Sequence, residues 1–225
     1  MAVLVAGGTG ALGSAVVREL IESGYECAVT WIVERERERA SSDFGDGVAL
    51  IEADLLDTAG AAAAVEAVAD LEAVVNLVGG YASTGLVHES DPDEFFRLVQ
   101  LNLAPAYNLA RAAMPRLVER GGGSFVGVSA RPALRPFAGA AGYITGKAAV
   151  LAFIQALDAE YARDGVRSNA ILPSVIDTPA NRESQPEADH SKWVAPAEIA
   201  KVVRFLVSDD SAPTSGAAVP VYGRA

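Results

Sequence analysis

The stretch that decides the fold is AVLVAGGTGALGSAVVREL, residues 2–20. Its first five residues form an apolar run with the length of a buried strand, and an amphipathic helical pattern begins at residue 11. Between them, Gly7, Gly10 and Gly13 follow the spacing G-x-x-G-x-x-G. Glycine lets backbone amides approach a pyrophosphate, which a helix N-terminus stabilises, so this stretch predicts a dinucleotide site. A tight strand-to-helix turn without a ligand is the alternative.

The rest of the chain repeats this alternation of strand and helix. Further strand patterns lie at 27–31, 48–53, 73–78, 124–129, 166–172 and 217–222, and helical patterns at 11–23, 57–69, 92–118, 142–163 and 196–208. Parallel strands need crossover connections, and those connections bury both faces of a sheet. We therefore predict an α/β fold: a single doubly wound, Rossmann-type domain over residues 1–225, with a mostly parallel seven-stranded sheet flanked by helices. Residues 177–195 lack periodicity and are expected to form a substrate lid.

Composition narrows the possible partners and surroundings. The 225 residues carry a net charge of −11, which repels nucleic acid and anionic lipid, so we expect neither as a partner. Cys27 is the single cysteine and there are two histidines, which argues against a disulfide and against a metal site. The chain has no apolar run of membrane-spanning length, and we expect a cytoplasmic protein.

The second strand pattern bears on the choice of cofactor. In folds of this kind an acidic residue at the end of the second strand binds the adenosine ribose and selects NAD. Here that position holds Thr30 and Trp31, and the next carboxylate is Glu34. A 2′-phosphate is then not repelled and Arg35 or Arg37 could reach it, so NADP(H) is favoured over NAD(H). The run ERERER at 34–39 is alternatively a solvated helix face with Glu–Arg pairs.

Tyr143 and Lys147 are four residues apart in a helical pattern and therefore share one helix face. An ammonium close to a phenol favours the phenolate, so we expect Lys147 to lower the pKa of Tyr143 towards neutrality. Ser129 ends the strand before this helix, at the sheet edge where ligands bind, and is expected to donate a hydrogen bond to a substrate carbonyl.

In this order, the glycine turn, Ser129, Tyr143 and Lys147 resemble the short-chain dehydrogenase/reductase family. The stretches ADLLD (53–57), VVNLVGG (74–80), VQLNLAPAYNLARAAMP (99–115) and VRSNAILPSVIDTP (166–179) extend the resemblance over most of the chain. It implies hydride transfer between a nicotinamide and a carbonyl or alcohol. Tyr143 would be the general acid/base, Lys147 would also hold the nicotinamide ribose, and Asn102 would support a proton-relay water. The expected cofactor contacts, besides Tyr143 and Lys147, are Gly7, Thr9, Gly10, Ala11, Leu12, Gly13, Trp31, Asp54, Leu55, Val78, Gly79, Ile176 and Thr178.

A narrower resemblance concerns the substrate. Residues 177–193 together with GGYASTG (79–85) are similar to dihydropteridine reductases, which lack the serine and carry an Asp at the end of the second strand. Two alternatives therefore accompany the NADP(H)-dependent oxidoreductase: a quinonoid dihydropteridine reductase-like enzyme, and a non-catalytic dinucleotide-sensing protein. The sensing protein is set apart by the presence of Ser129, Tyr143, Lys147 and Asn102 together, because a purely binding protein has no reason to keep this complete set.

The helical segment 142–163 is apolar around most of its circumference. A surface helix of a monomer should show a polar face, so burial against another subunit is expected. The family resemblance implies a homodimer or homotetramer.

Overall fold

Seven parallel strands form one sheet in a computed structural model that describes residues 1–224. Their spatial order is β3-β2-β1-β4-β5-β6-β7. This confirms the predicted Rossmann-type fold, and every strand pairing is parallel. The strands are β1 (Ala2–Ala6), β2 (Glu26–Trp31), β3 (Val48–Glu52), β4 (Leu71–Asn76), β5 (Gly123–Val128), β6 (Val166–Pro173) and β7 (Ala218–Val221).

Helices cover both faces of the sheet. They are α1 (Ala11–Glu22), α2 (Glu34–Phe44), α3 (Thr58–Glu66), α4 (Pro92–Glu119), α5 (Ala141–Tyr161), α6 (Pro179–Ser184) and α7 (Pro196–Val207). Val3 and Val5 of β1 belong to the core shared with α1 and α7, whereas Leu4 belongs to the core shared with α3, α4 and α5. All five β1 residues are therefore buried, as expected for a central parallel strand. Within residues 1–224, no helix is both long enough and apolar enough to cross a membrane.

The strand order reverses between β1 and β4. From β1 the chain adds β2 and β3 on one side, and it then returns to add β4 to β7 on the other. At such a point the connections after neighbouring strands diverge and leave a crevice at the carboxyl edge of the sheet. The glycine turn follows β1 at this crevice, and an added Cβ at Gly7 would lie 3.2 Å from the Val78 side chain, just beyond β4.

Two helices, α4 and α5, approach each other closely through glycines. A Cβ added at Gly142 would lie 3.0 Å from the Phe95 carbonyl oxygen, and one at Gly146 would lie 3.2 Å from that of Leu98. These glycines lie on either side of Tyr143 in the sequence GYITG. Their missing side chains let the α5 backbone pack closely against α4.

Residues 177–195 contain regular structure, although their sequence lacks a periodic pattern. They include the short helix α6, which begins where the Thr178 hydroxyl accepts a hydrogen bond from the Asn181 amide at 3.2 Å. Pro179 follows at the first helical position, where its missing N–H costs nothing. Thr178 therefore caps α6, and a Thr followed directly by Pro is an ordinary sequence signal for such a helix start.

Candidate active site

The glycine turn is built as a close backbone approach. Gly7 has a φ of +76°, a conformation that favours glycine, and its amide donates to the Thr30 hydroxyl at 3.2 Å. A Cβ at Gly13 would strike the Gly7 carbonyl oxygen, whereas one at Gly10 would meet only that oxygen, at 3.5 Å. Gly10 is the N-cap of α1, so the positive end of this helix begins in the turn. The cradle fits a pyrophosphate.

Residues of α2 border this turn. The Thr9 hydroxyl donates to the Glu36 carboxylate at 2.8 Å, and the Arg39 guanidinium donates to the Thr9 carbonyl. The Arg37 guanidinium lies 5.5 Å from the centre of the Trp31 ring at the end of β2. The charged run is thus a helix in contact with the expected dinucleotide site, rather than only a solvated face.

Sequence reasoning missed Glu36 and Arg39 as neighbours of the glycine turn. A signal was present: the two residues are three apart and therefore lie on one face of α2. Thr9, the residue that both contact, was already among the expected cofactor contacts.

The other expected cofactor residues lie in loops after β3, β4 and β6. Asp54 accepts a hydrogen bond from the Leu56 amide at 2.9 Å, while Leu55 is buried and its carbonyl accepts from the Asn108 amide group at 3.0 Å. The Ile176 carbonyl accepts from the Asn181 side chain at 2.8 Å. Asp54 therefore remains accessible, whereas the Leu55 side chain packs in the core. The half-buried or exposed members of the expected set are Gly7, Gly10, Ala11, Leu12, Trp31, Asp54, Val78, Gly79, Tyr143, Ile176 and Thr178.

Lys147 is buried at the carboxyl ends of β4 and β5. It is 6% exposed, and its ammonium donates to the Val128 carbonyl at 2.9 Å. A Cβ added at Gly79 would lie 2.9 Å from the Lys147 Nζ and 2.5 Å from the Asn102 Oδ1. Burial lowers the pKa of Lys147 to about 8. The structure therefore brings Gly79, Asn102 and Lys147 together.

Tyr143 corrects one expectation. Burial, with a smaller contribution from Tyr81, raises the pKa of the Tyr143 phenol to about 12, instead of lowering it. The helix face is shared with Lys147 as expected, but the ammonium is directed to the Val128 carbonyl and the cost of burying a phenolate dominates. Tyr143 is consequently a protonated acid at neutral pH.

Asn102 holds the loop after β4. Its Oδ1 accepts from the Gly80 amide at 3.2 Å, and its Nδ2 donates to the carbonyls of Gly80 at 3.0 Å and Leu98 at 2.8 Å. Both Nδ2 protons are therefore used within the protein. The amide group thus clamps the backbone of Gly80, and the relay-water role implied by the resemblance stays a prediction.

Ser129 also departs from its expected role. Its hydroxyl donates to the Lys147 carbonyl at 2.7 Å, and the residue is only 1% exposed. The proton expected to reach a substrate carbonyl is thus engaged with α5. Side chains alternate along extended backbone, and the next residue, Ala130, is extended and carries no hydroxyl.

Residues 1–189 match the model of the family described as short chain dehydrogenase. The chain belongs to the short-chain dehydrogenase family. A 2-(R)-hydroxypropyl-CoM dehydrogenase of Xanthobacter autotrophicus is 29% identical over 196 residues, covering 80% of this chain and 78% of the relative. An acetoacetyl-CoA reductase of Acinetobacter is 27% identical over 237 residues, covering 98% and 95%.

The fold agrees with this assignment. A short-chain type dehydrogenase/reductase from Mycobacterium ulcerans has a TM-score of 0.93 and 25% identity, over 99% of this chain and 88% of that one. Other solved structures of the same fold hold NADP or NADH. Membership of the short-chain dehydrogenase family, together with these dehydrogenase and reductase relatives, makes the protein an NAD(P)-dependent oxidoreductase acting on CH–OH or C=O groups.

Proposed function

We propose that the protein is an NADP(H)-dependent oxidoreductase in which Tyr143 exchanges a proton with a carbonyl or alcohol substrate. One observation supports this proposal most strongly. The half-buried Tyr143 lies one helical turn before the buried Lys147, at the same edge of the sheet as the glycine turn. When bound, the nicotinamide supplies or accepts the hydride.

Tyr143, Lys147 and Ser129 have different roles in the proposed reaction. Tyr143 is protonated at neutral pH and donates its proton to the oxygen of a carbonyl as that oxygen gains charge. Lys147 keeps a positive charge beside Gly79, where it stabilises developing negative charge and can bind ribose hydroxyls. Ser129 holds the Lys147 main chain, and so its part in the reaction is to position α5.

The preference for NADP(H) rests on α2. Arg37 and Arg39 lie beside Trp31 and Thr9, where a 2′-phosphate on the adenosine ribose would meet two guanidinium groups. Two carboxylates oppose this preference: Glu36 already accepts from Thr9, and Glu34 is ion-paired with Arg37. NADP(H) is still favoured over NAD(H), because β2 ends without the acidic residue that selects NAD and two arginines lie nearby.

A quinonoid dihydropteridine reductase-like activity is the second candidate. Two differences separated this chain from such enzymes: the presence of Ser129 and the lack of an Asp at the end of the second strand. Because the Ser129 hydroxyl donates to α5, the presence of this serine no longer argues against a dihydropteridine reductase-like activity. The second difference remains.

The proposed function is tested with a panel of ketones, quinones, alcohols and quinonoid dihydropterin, each followed by nicotinamide absorbance with NADPH and NADH in parallel. We expect turnover of a carbonyl substrate with NADPH favoured. Tyr143→Phe should lower kcat by roughly 100-fold or more while the Kd for NADPH stays unchanged. If cofactor binds but no substrate is turned over, a dinucleotide-sensing role replaces this proposal.

We also propose that residues 177–195 form a lid over the substrate. The segment is tied at both ends by a bridge between Ile176 and Val194, with the Asp177 amide donating to the Val194 carbonyl at 2.8 Å. Inside it, the rings of His190 and Trp193 are in contact at an interplanar angle of 47°, with their centres 4.3 Å apart. Such a closed loop beside an active site supports a role in covering the substrate.

The oligomeric state is proposed from α4 and α5. Phe96 is 68% exposed and Tyr107 is 51% exposed on α4, and the Tyr107 ring lies 5.9 Å from the half-buried Phe153 ring of α5. The alanines Ala152 and Ala156 are exposed on the same helix. We propose that this apolar face is covered by a second copy in a homodimer or homotetramer.

A cytoplasmic setting is proposed from the lone cysteine. Cys27 is buried in β2, and burial raises its thiol pKa to about 12. A protonated, shielded thiol takes no part in disulfide exchange. The sequence also offers Cys27 no second cysteine to pair with, which is typical of proteins from a reducing compartment.

A further inference from the structure

Tyr81 lies beside Tyr143, the candidate proton donor. It lies in the loop after β4, and its ring is perpendicular to that of Tyr143, with ring centres 5.1 Å apart and an interplanar angle of 88°. Although it touches a half-buried residue, Tyr81 is 59% exposed. An aromatic ring that is exposed on one side and held against the reacting group on the other is placed to meet a substrate.

The loop that carries Tyr81 is held at both ends. The preceding residue, Gly80, is clamped through its amide and its carbonyl by Asn102. After Tyr81, the Ser83 hydroxyl donates to the Gly139 carbonyl at 3.0 Å, and the Thr84 amide donates to the same carbonyl at 2.8 Å. The position of the ring is therefore determined by the fold, rather than by a free loop tip.

The hydrogen bonds to Gly139 join two loops that expose large apolar side chains. Exposed fractions there are 54% for Leu134 and 47% for Phe137, on the β5–α5 loop, and 48% for Leu86 on the Tyr81 loop. Singly exposed apolar residues are ordinary on a protein surface, but a group of them beside an active site marks a binding surface. These side chains offer apolar contact area to a ligand, beside the exposed Arg135 of the β5–α5 loop.

We propose that Tyr81 is a substrate-contacting residue whose ring forms one wall of the substrate site and selects planar, conjugated carbonyl compounds. The proposal rests on the proposed function, because it concerns the substrate of the Tyr143 site. A flat ring can stack on Tyr81 and at the same time present its carbonyl to Tyr143. Aromatic pairs gain stabilisation beyond the area they bury, which a saturated ring of equal size does not gain.

The test uses two ketones with the same carbon skeleton, acetophenone and cyclohexyl methyl ketone. Their dissociation constants for the enzyme with NADP⁺ bound are measured by saturation-transfer NMR titration. For the wild type we expect acetophenone to bind roughly five-fold more tightly. Tyr81→Ala should reduce this ratio to about one, whereas Tyr81→Phe, which keeps the ring, should retain it.

Phe205→Ala is the matched control, because Phe205 is an exposed aromatic residue of α7, 40% exposed. It should leave the ratio of the two ketones unchanged. Equal binding of both ketones to the wild type, binding of neither, or an unchanged ratio in Tyr81→Ala would overturn the proposal.

NADPH fluorescence separates this failure from a failure of the proposed function. If NADPH binds and a carbonyl is turned over while the ketone ratio is flat, only the role of Tyr81 is wrong. If NADPH does not bind, the proposed function itself fails.

Discussion

At the scale of single residues, the environment of each functional group decided more than its identity. Tyr143 and Lys147 share a helix face, as their spacing indicates, yet burial moves their two pKa values in opposite directions, to about 12 and about 8. Spacing along a helix is a local property. The choice of the Val128 carbonyl as the partner of Lys147 depends on β5, which lies outside that helix.

The pH dependence of carbonyl reduction should follow Lys147. Its ammonium is charged below its pKa of about 8 and loses its proton above that value, while Tyr143, with a pKa near 12, stays protonated throughout. We expect kcat/KM to be flat below pH 8 and to fall by about ten-fold per pH unit above it. Lys201→Met, which removes an exposed lysine of α7, should not alter the profile. A profile still flat at pH 10 would contradict the requirement for the Lys147 charge.

Ser129→Ala tests whether this serine is a substrate donor or a positioning residue. Loss of the bond to the Lys147 carbonyl should lower the free energy of unfolding by about 1 kcal/mol, measured by urea denaturation. Because the hydroxyl does not face the substrate, kcat should remain within about ten-fold of the wild type. A loss of 100-fold or more, the cost of removing an oxyanion donor, would return Ser129 to the role of carbonyl donor.

At the scale of elements, α2 and the glycine turn act together. The turn was evident from its glycine spacing, but the approach of α2 to Thr9 was not, because it depends on how the chain leaves β2. A run of alternating charges has the same appearance whether one face meets a ligand site or all faces meet water. Only the direction of the helix distinguishes the two cases.

Arg39→Ala should change the relative affinity for the two cofactors. Loss of a guanidinium beside the ribose should weaken NADPH by about ten-fold, with little change for NADH, as measured by fluorescence titration. Arg163→Ala, an exposed arginine before β6, is the control and should leave the NADPH/NADH ratio unchanged. Equal weakening of both cofactors would mean that Arg39 acts only by holding Thr9.

Gly13→Ala and Gly10→Ala separate the geometric requirements of the turn. A Cβ at residue 13 strikes the Gly7 carbonyl oxygen, so we expect a loss of roughly 3 kcal/mol in the free energy of unfolding. At residue 10 the closest atom is 3.5 Å away, an ordinary contact, and stability should change by less than about 1 kcal/mol. Equal destabilisation of the two variants in thermal unfolding would show that this steric difference is not what matters.

At the scale of the whole molecule, the reversal of strand order brings the site together. Three parts of the site follow three strands that are neighbours in the sheet: the glycine turn follows β1, the Tyr81 loop follows β4 and the start of α5 follows β5. In the sequence, more than 50 residues separate β1 from β4. The same arrangement leaves α4 and α5 as an outer layer with an exposed aromatic face.

Sedimentation should show a dimer or tetramer at micromolar concentration. Tyr107→Glu places a charge on the exposed face of α4 and should shift the population towards monomer, because burying an unpaired carboxylate is costly. Phe205→Glu, an equal change on α7, should leave the assembly intact. A monomeric wild type would refute the proposed interface.

The sequence by itself determined the fold and the reaction class. The signals for both are local in the sequence: alternating strand and helix patterns, a glycine turn after the first strand, and a Tyr and a Lys one helical turn apart. Such signals can be read without knowledge of the tertiary structure. Tertiary structure alone decided where protons and hydrogen bonds go: Ser129 to α5, Asn102 to Gly80, and Tyr81 to the side of Tyr143. Each of these contacts joins elements distant in the chain. Burial and hydrogen-bond partners are set by packing between such elements, which no local pattern encodes.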